Sequence, residues 1–144
     1  MSASPSGPRY DLPDIDDFTR TWWEACAQER LLVRHCVACG RSHHYPREFC
    51  PFCWADGEKV AWRPASGRAE LYTWSVIHRN DLPPFGTRVP YTAAVVDLVE
   101  GPRMMTEVVD CEAADLVVGM PLEVAFREIA EGVRVPVFRP AGRD

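Results

Sequence analysis

Long apolar runs are missing from this 144-residue chain. No stretch approaches the roughly 18 residues that a membrane-spanning helix needs, which excludes such a span. No charged-then-apolar leader appears either, so the expected location is the cytoplasm. Lysine is almost absent: Lys59 stands alone among 16 basic side chains, and 21 acidic ones bring the formal net charge to −5. Proteins that coat nucleic acid draw affinity from many neutralised phosphates, so this balance argues against that role. The familiar catalytic signatures are missing too. There is no glycine-rich phosphate loop, no nucleophile elbow and no His-Glu-x-x-His pair. The carboxylates of the second half are scattered as solvated charges would be. The chain therefore reads as a binding or scaffolding module, not an independent catalyst.

What is present begins with a composition of 47% hydrophobic and 26% charged residues, which suits one folded domain or two very small ones sharing a core. Four of the six cysteines fall into two tight pairs, Cys36-Val-Ala-Cys39 and Cys50-Pro-Phe-Cys53, ten residues apart. Two thiolates separated by two residues curl around one metal ion, and two such knuckles complete a tetrahedral sulfur cage. The expected cofactor is one structural Zn2+ held by Cys36, Cys39, Cys50 and Cys53. A rubredoxin-like iron site shares that ligand set, and two redox dithiols are the competing non-metal reading. A cage of four thiolates leaves no coordination position for substrate, so the metal would supply folding energy and not chemistry. Gly40 follows the first knuckle, where a positive φ lets N–H groups face the sulfurs. Trp54 stands at the matching place after the second, which predicts a less regular knuckle. His43 and His44 are superfluous as ligands and are expected to face solvent or a partner.

Hydrophobic patterning divides the chain into a flexible tail at 1–13, an N-terminal helical segment at 14–34, a zinc ribbon at 35–64 and a β domain at 65–144. A helix is expected from Asp14 to Arg30, with its aspartates at the favourable end of the dipole. Phe18, Trp22 and Cys26 recur every four residues, with Trp23 and Ala27 beside them, to make one apolar face. Short strands are expected at 31–33 and 60–62. Five more are expected at 69–78, 91–98, 103–109, 122–128 and 133–138, separated by Gly and Pro turns. Five short strands without room for a large helix suit a small Greek-key barrel. The patterning thus gives a mainly β fold with an N-terminal helix, a zinc ribbon followed by a five-stranded Greek-key barrel.

The order of these features resembles a family of acyl-CoA-associated proteins built from an N-terminal helical hairpin, a rubredoxin-like zinc ribbon and a C-terminal OB fold. The segments that carry the resemblance are 36–40, 45–53, 66–76, 89–91, 95–102, 118–124 and 136–140, and the resemblance as a whole covers about residues 15–140. It implies that the zinc ribbon is rubredoxin-like and that the five-stranded barrel is an OB fold. The resemblance implies a companion subunit of a thiolase-superfamily enzyme (a thiolase, a synthase or a retro-aldolase of steroid side chains) or of a hot-dog-fold enoyl-CoA hydratase, with the catalytic residues mainly in the partner. It also implies that the module helps bind the CoA thioester. Between Arg30 and Arg47 lie four arginines (Arg30, Arg34, Arg41, Arg47), three histidines and no acid. Those arginines are the candidates to meet CoA phosphates, although a solvated ribbon face or salt bridges would account for any one of them. Trp22, Trp23 and the loop residue Phe85 are candidate partner contacts; the alternative for the tryptophans is packing of the helix on its own domain, and for Phe85 a lid on the barrel end. The competing function is a nucleic-acid-binding protein, since zinc ribbons and OB folds both serve that purpose. Neither nucleic acid nor a membrane is the expected partner.

Overall fold

The computed structural model describes residues 9–142. One helix, α1 (Arg20–Ala27), precedes eight strands: β1 (Leu32–Cys36), β2 (Ser42–His43), β3 (Val60–Pro64), β4 (Arg68–Ile77), β5 (Tyr91–Leu98), β6 (Arg103–Val108), β7 (Pro121–Ala130) and β8 (Val133–Pro140). The first three strands form a small sheet in the order β2-β1-β3. The other five close into a barrel in the order β4-β5-β6-β8-β7. All barrel pairings are antiparallel except β6 with β8, which meet in parallel at Val108 and Phe138.

The expected helix is shortened at both ends. Asp16 and Thr19 bond reciprocally, side chain to backbone, at 2.7 and 3.1 Å, and hold a separate turn ahead of Arg20. The aspartates therefore precede the first helical turn instead of lying in it. At the other end Glu29 adopts φ 59°, and the N–H groups of Glu29 and Arg30 return to the carbonyls of Cys26 and Ala25. That is a Schellman stop, after which the chain turns into β1. The helical hairpin implied by the resemblance is thus a single α-helix among the described residues. Of the tail expected at 1–13, residues 1–8 lie outside the described residues. Arg9 forks onto Asp11 and also donates to the Ile129 carbonyl at 2.8 Å, while the Tyr10 N–H donates to Pro83. These bonds pin Arg9–Asp11 to the barrel, because the guanidinium finds both a carboxylate and a free carbonyl at the β7–β8 hairpin.

Period-two alternation places the barrel core. Thr92, Ala94, Val96 and Leu98 point inward along β5 while their neighbours face outward. Ala94, Val96 and Leu98 meet Leu71, Met104, Val108, Leu122 and Phe138 in one cluster that continues into Trp22, Ala25, Cys26 and Leu31–Val33. Ribbon base, helix and barrel therefore share a core, with α1 packed on β8. The junction depends on Gly67. It adopts φ +83°, and a Cβ there would lie 2.5 Å from Cγ1 of Val124, so only glycine lets the chain leave the ribbon this close to β7. The barrel strands match their expected positions to within about two residues, the ordinary uncertainty of element ends, whereas β1 runs three residues past its expected end and the two-residue β2 was not expected.

Candidate metal centre and the surfaces around it

The two knuckles bring Sγ of Cys36, Cys39, Cys50 and Cys53 within 4.8 Å of one another. Cys36 and Cys53 lie 3.6 Å apart, and Cys39 and Cys50 lie 3.7 Å apart. A tetrahedron with metal–sulfur bonds of about 2.3 Å has edges of about 3.8 Å, so the sulfurs already fit zinc. Cys36 and Cys50 are fully buried, while Cys39 and Cys53 reach the surface. Each knuckle is closed by the same backbone bond: Gly40 N–H to Cys36 at 2.8 Å and Trp54 N–H to Cys50 at 2.9 Å. The Phe52 N–H also donates to the Cys50 sulfur at 3.4 Å. Burial raises the Cys50 pKa, but the N–H groups of Cys53 and Phe52 together with the neighbouring thiols outweigh it and bring the thiol down to about 7. In the same set the Ala55 N–H draws the Cys53 thiol down, but burial and the neighbouring thiols outweigh it and push it up to about 11. Cys39 is also pushed up, so Cys50 supplies its thiolate more readily than either.

The second knuckle is not irregular. Trp54 takes φ +67° and Gly40 φ +78°, so the tryptophan reproduces the glycine's conformation. For a residue with a Cβ this costs on the order of 1–2 kcal/mol. Trp54 is 73% exposed and stacks on Phe49, with ring centroids 5.3 Å apart and planes 9° apart.

The expected ligand and partner residues separate into three groups. Arg34 is no surface cation: it is 6% exposed and donates to the carbonyls of Arg47 and Val60 at 3.2 and 3.3 Å. Its guanidinium lies 5.0 Å from the Phe18 ring and 4.9 Å from that of Trp62. Because those groups sequester it, it braces the ribbon and cannot meet a phosphate. Trp22 is likewise removed as a partner contact. It is 7% exposed, donates Nε1–H to the Leu32 carbonyl at 3.0 Å and fills the shared core. Trp23 is half-buried, edge-on to Trp22. Phe85 is half-buried in a short turn, its ring centroid 6.2 Å from that of Tyr91. Arg30 is exposed and pairs with Gln28.

Arg41 and Arg47 are exposed, and both line a cleft of about 490 Å³ where the ribbon faces the β5–β6 turn. Its other walls include His43, His44, Tyr45, Phe52, Glu100 and Arg103. The Tyr45 hydroxyl accepts the Met105 N–H at 3.0 Å and ties ribbon to barrel. Arg103 is already paired with Asp97 at 2.6 Å and stacked on Tyr72. Both histidines are buried instead of facing solvent, and neither ring nitrogen of His43 has a hydrogen-bond partner among the described residues. Burial, reinforced by His43, drives the His44 pKa down to about 4, so its imidazole is neutral near pH 7. Sequence patterning missed Glu100 and Arg103, which come from a turn about sixty residues away and meet the ribbon only in three dimensions. It also missed Trp54 as a surface feature, although its place in a glycine position was a visible signal.

A four-thiolate ribbon whose base shares a core with a five-stranded OB barrel defines the class: a rubredoxin-like zinc ribbon with an OB fold. Residues 23–58 match the family described as ChsH2, rubredoxin-like zinc ribbon domain, and residues 62–127 match ChsH2, C-terminal OB-fold domain. The chain is 34% identical over 125 residues to a DUF35 domain-containing scaffold protein of Methanocaldococcus jannaschii, covering 87% of this chain and 86% of that one. It is 35% identical over 130 residues to a probable enoyl-CoA hydratase alpha subunit of Thermomonospora curvata; the match takes in 90% of this chain but only 39% of that longer protein. Among solved structures, a chain of the Ltp2-ChsH2(DUF35) aldolase is similar at 32% identity and a TM-score of 0.77, covering 90% of this chain and 98% of that one. The chain belongs to the DUF35/ChsH2 family of zinc-ribbon and OB-fold proteins, and its four cysteines hold one structural zinc. No helix among the described residues is long and apolar enough to cross a membrane.

Proposed function

We propose that this chain is a non-catalytic accessory subunit that binds and supports a thiolase-superfamily acyl-CoA enzyme, such as a thiolase, a synthase or a retro-aldolase acting in steroid side-chain degradation. The observation that carries the reading is the near end-to-end similarity to the DUF35 chain of the Ltp2-ChsH2 aldolase. The hydratase-subunit relative makes a hot-dog-fold hydratase the other partner class, with the same module forming part of a longer chain there. The chemistry agrees with a supporting role. All four metal positions are thiolates, and a zinc so enclosed polarises no substrate.

In such a complex the cleft beside Arg47 is the place on this chain suited to the phosphate-bearing end of a CoA thioester, while Arg41 on the same wall is held over the Phe52 ring. Arg103 adds less, because Asp97 already neutralises it. Co-expression with the thiolase-like or hydratase-like protein encoded beside its gene tests the proposal. The expected result is co-purification, with the enzyme soluble and active only as the pair. An enzyme that fails to co-purify and is fully soluble and active alone would overturn it.

A further inference from the structure

The tip of the ribbon, away from the shared core, is unusually apolar for a surface. Val37 is 61% exposed, Phe52 44% and Trp54 73%, and all three lie in the two knuckles beside the exposed Cys39 and Cys53. Trp54 holds its backbone in a conformation that favours glycine, yet the ribbon gains no interior packing from it. The ribbon's own buried cluster consists of Cys36, Cys50 and Val60, with Ala55 packed against it. An indole kept at a strained position and absent from that cluster has its use outside the chain. Its stack on Phe49 holds the ring in one orientation, which lowers the cost of ordering it on contact.

The charge around it selects the kind of partner. Residues 36–59 carry three basic side chains, Arg41, Arg47 and Lys59, against three acidic ones, Glu48, Asp56 and Glu58. Four thiolates around one Zn2+ leave the cage itself negative, so the loaded tip is net negative and suits neither a phosphate backbone nor an anionic bilayer. Arg41 lies 3.5 Å from the centroid of the Phe52 ring and makes no ion pair with the described residues. Tryptophan and arginine are the side chains in which protein interfaces concentrate binding energy.

We propose that Trp54, backed by Phe49 and flanked by Phe52, is an anchor that seats the zinc ribbon in an apolar pocket of the partner enzyme subunit, where a carboxylate of that subunit receives Arg41. This rests on the accessory-subunit reading and deepens it by naming the contact. The anchor is a feature of this chain's second knuckle, so it selects among partners as well as holding one.

The test compares zinc-loaded wild type and Trp54→Gly, both as the full chain, for affinity toward the thiolase-like or hydratase-like subunit encoded beside the gene. Glycine accepts the left-handed backbone, so the variant should retain zinc and melt no lower than wild type. It should nevertheless bind the partner at least about tenfold more weakly. Arg41→Glu should weaken binding in the same assay. If Trp54→Gly loses zinc, Trp54→Asn, which also tolerates that backbone, makes the comparison instead. A wild type that binds while the variant binds within about twofold overturns the anchor and leaves the accessory reading standing. A wild type that binds neither subunit overturns both. Sedimentation that reveals a dimer dissolved by Trp54→Gly would assign the surface to a second copy of this chain. Loss of single-stranded oligonucleotide binding in the variant would assign it to nucleic acid. Either result also overturns the proposal.

Discussion

Replacing Arg34 separates a brace from a ligand contact. In Arg34→Met the hydrophobic stem persists, but the carbonyls of Arg47 and Val60 lose the donors now 3.2 and 3.3 Å away. Hydrogen bonds to a charged group are worth roughly 1.5–3 kcal/mol each. Stacking of the guanidinium on Phe18 and Trp62, at 5.0 and 4.9 Å, adds on the order of 0.5–2 kcal/mol per ring. Against this, methionine removes the desolvation penalty of a buried cation, several kcal/mol in a real protein. The balance is a loss of about 2–4 kcal/mol, because a stranded pair of buried carbonyls is costlier than an absent charge. For a chain of this size that lowers the melting temperature by roughly 5–15 °C. Thermal unfolding of the zinc-loaded chain, followed by circular dichroism, reads it directly. Arg34→Lys should recover only part of the loss, since an ammonium group cannot reproduce the planar fork between two rings. A melting temperature within about 2 °C of wild type would refute the reasoning. If affinity for a CoA thioester fell at the same time, Arg34 would be a ligand contact after all.

Two further outcomes follow from the metal and from the buried histidines. Fresh protein should be colourless and hold about one zinc per chain. Chelation should collapse the amide dispersion of residues 36–59 and weaken assembly with the partner, and unchanged ribbon resonances after complete removal would contradict a folding role for the thiolates. His44 has a folded pKa of about 4, below the ordinary value near 6.5. The unfolded chain therefore binds a proton that the folded chain refuses. Its contribution is complete above pH 6.5 and is lost as pH falls toward 4, by about 3 kcal/mol at the lower end. Nitrogen NMR of the imidazole should find it neutral at pH 5, and a protonation midpoint above 6 would contradict the burial argument. His44→Phe, which keeps a ring beside Trp22, should flatten that part of the stability profile at constant zinc occupancy.

Legibility followed the range of the interactions. The cage was readable because its ligands come in pairs two residues apart, and local backbone turns suffice to converge each pair. Strand β5 was readable to the residue, since the largely apolar, β-branched run Tyr91–Leu98 is bounded by Pro90 and the Glu100-Gly-Pro102 turn. The helix was overextended because apolar spacing alone does not reveal that Asp16 caps a turn of its own or that Glu29 takes a left-handed conformation. Side-chain roles fared worst. Arg34 belonged to a basic stretch and looked exposed, while the rings and carbonyls that enclose it come from residues 18, 47, 60 and 62.

The sequence by itself determined the zinc site, the ribbon-then-barrel order and the punctuation of the barrel strands by Gly and Pro turns, because each depends on neighbours along the chain. Tertiary structure decided which aromatic residues are hidden and which are offered. Trp22 is buried because α1 lies against the barrel and the Leu32 carbonyl accepts its N–H, whereas Trp54, whose stacking partner is the nearby Phe49, stays exposed. The chain carries the same side chain at both places. Burial is set by which distant segments arrive beside it, and that is a property of the folded arrangement and not of residue type.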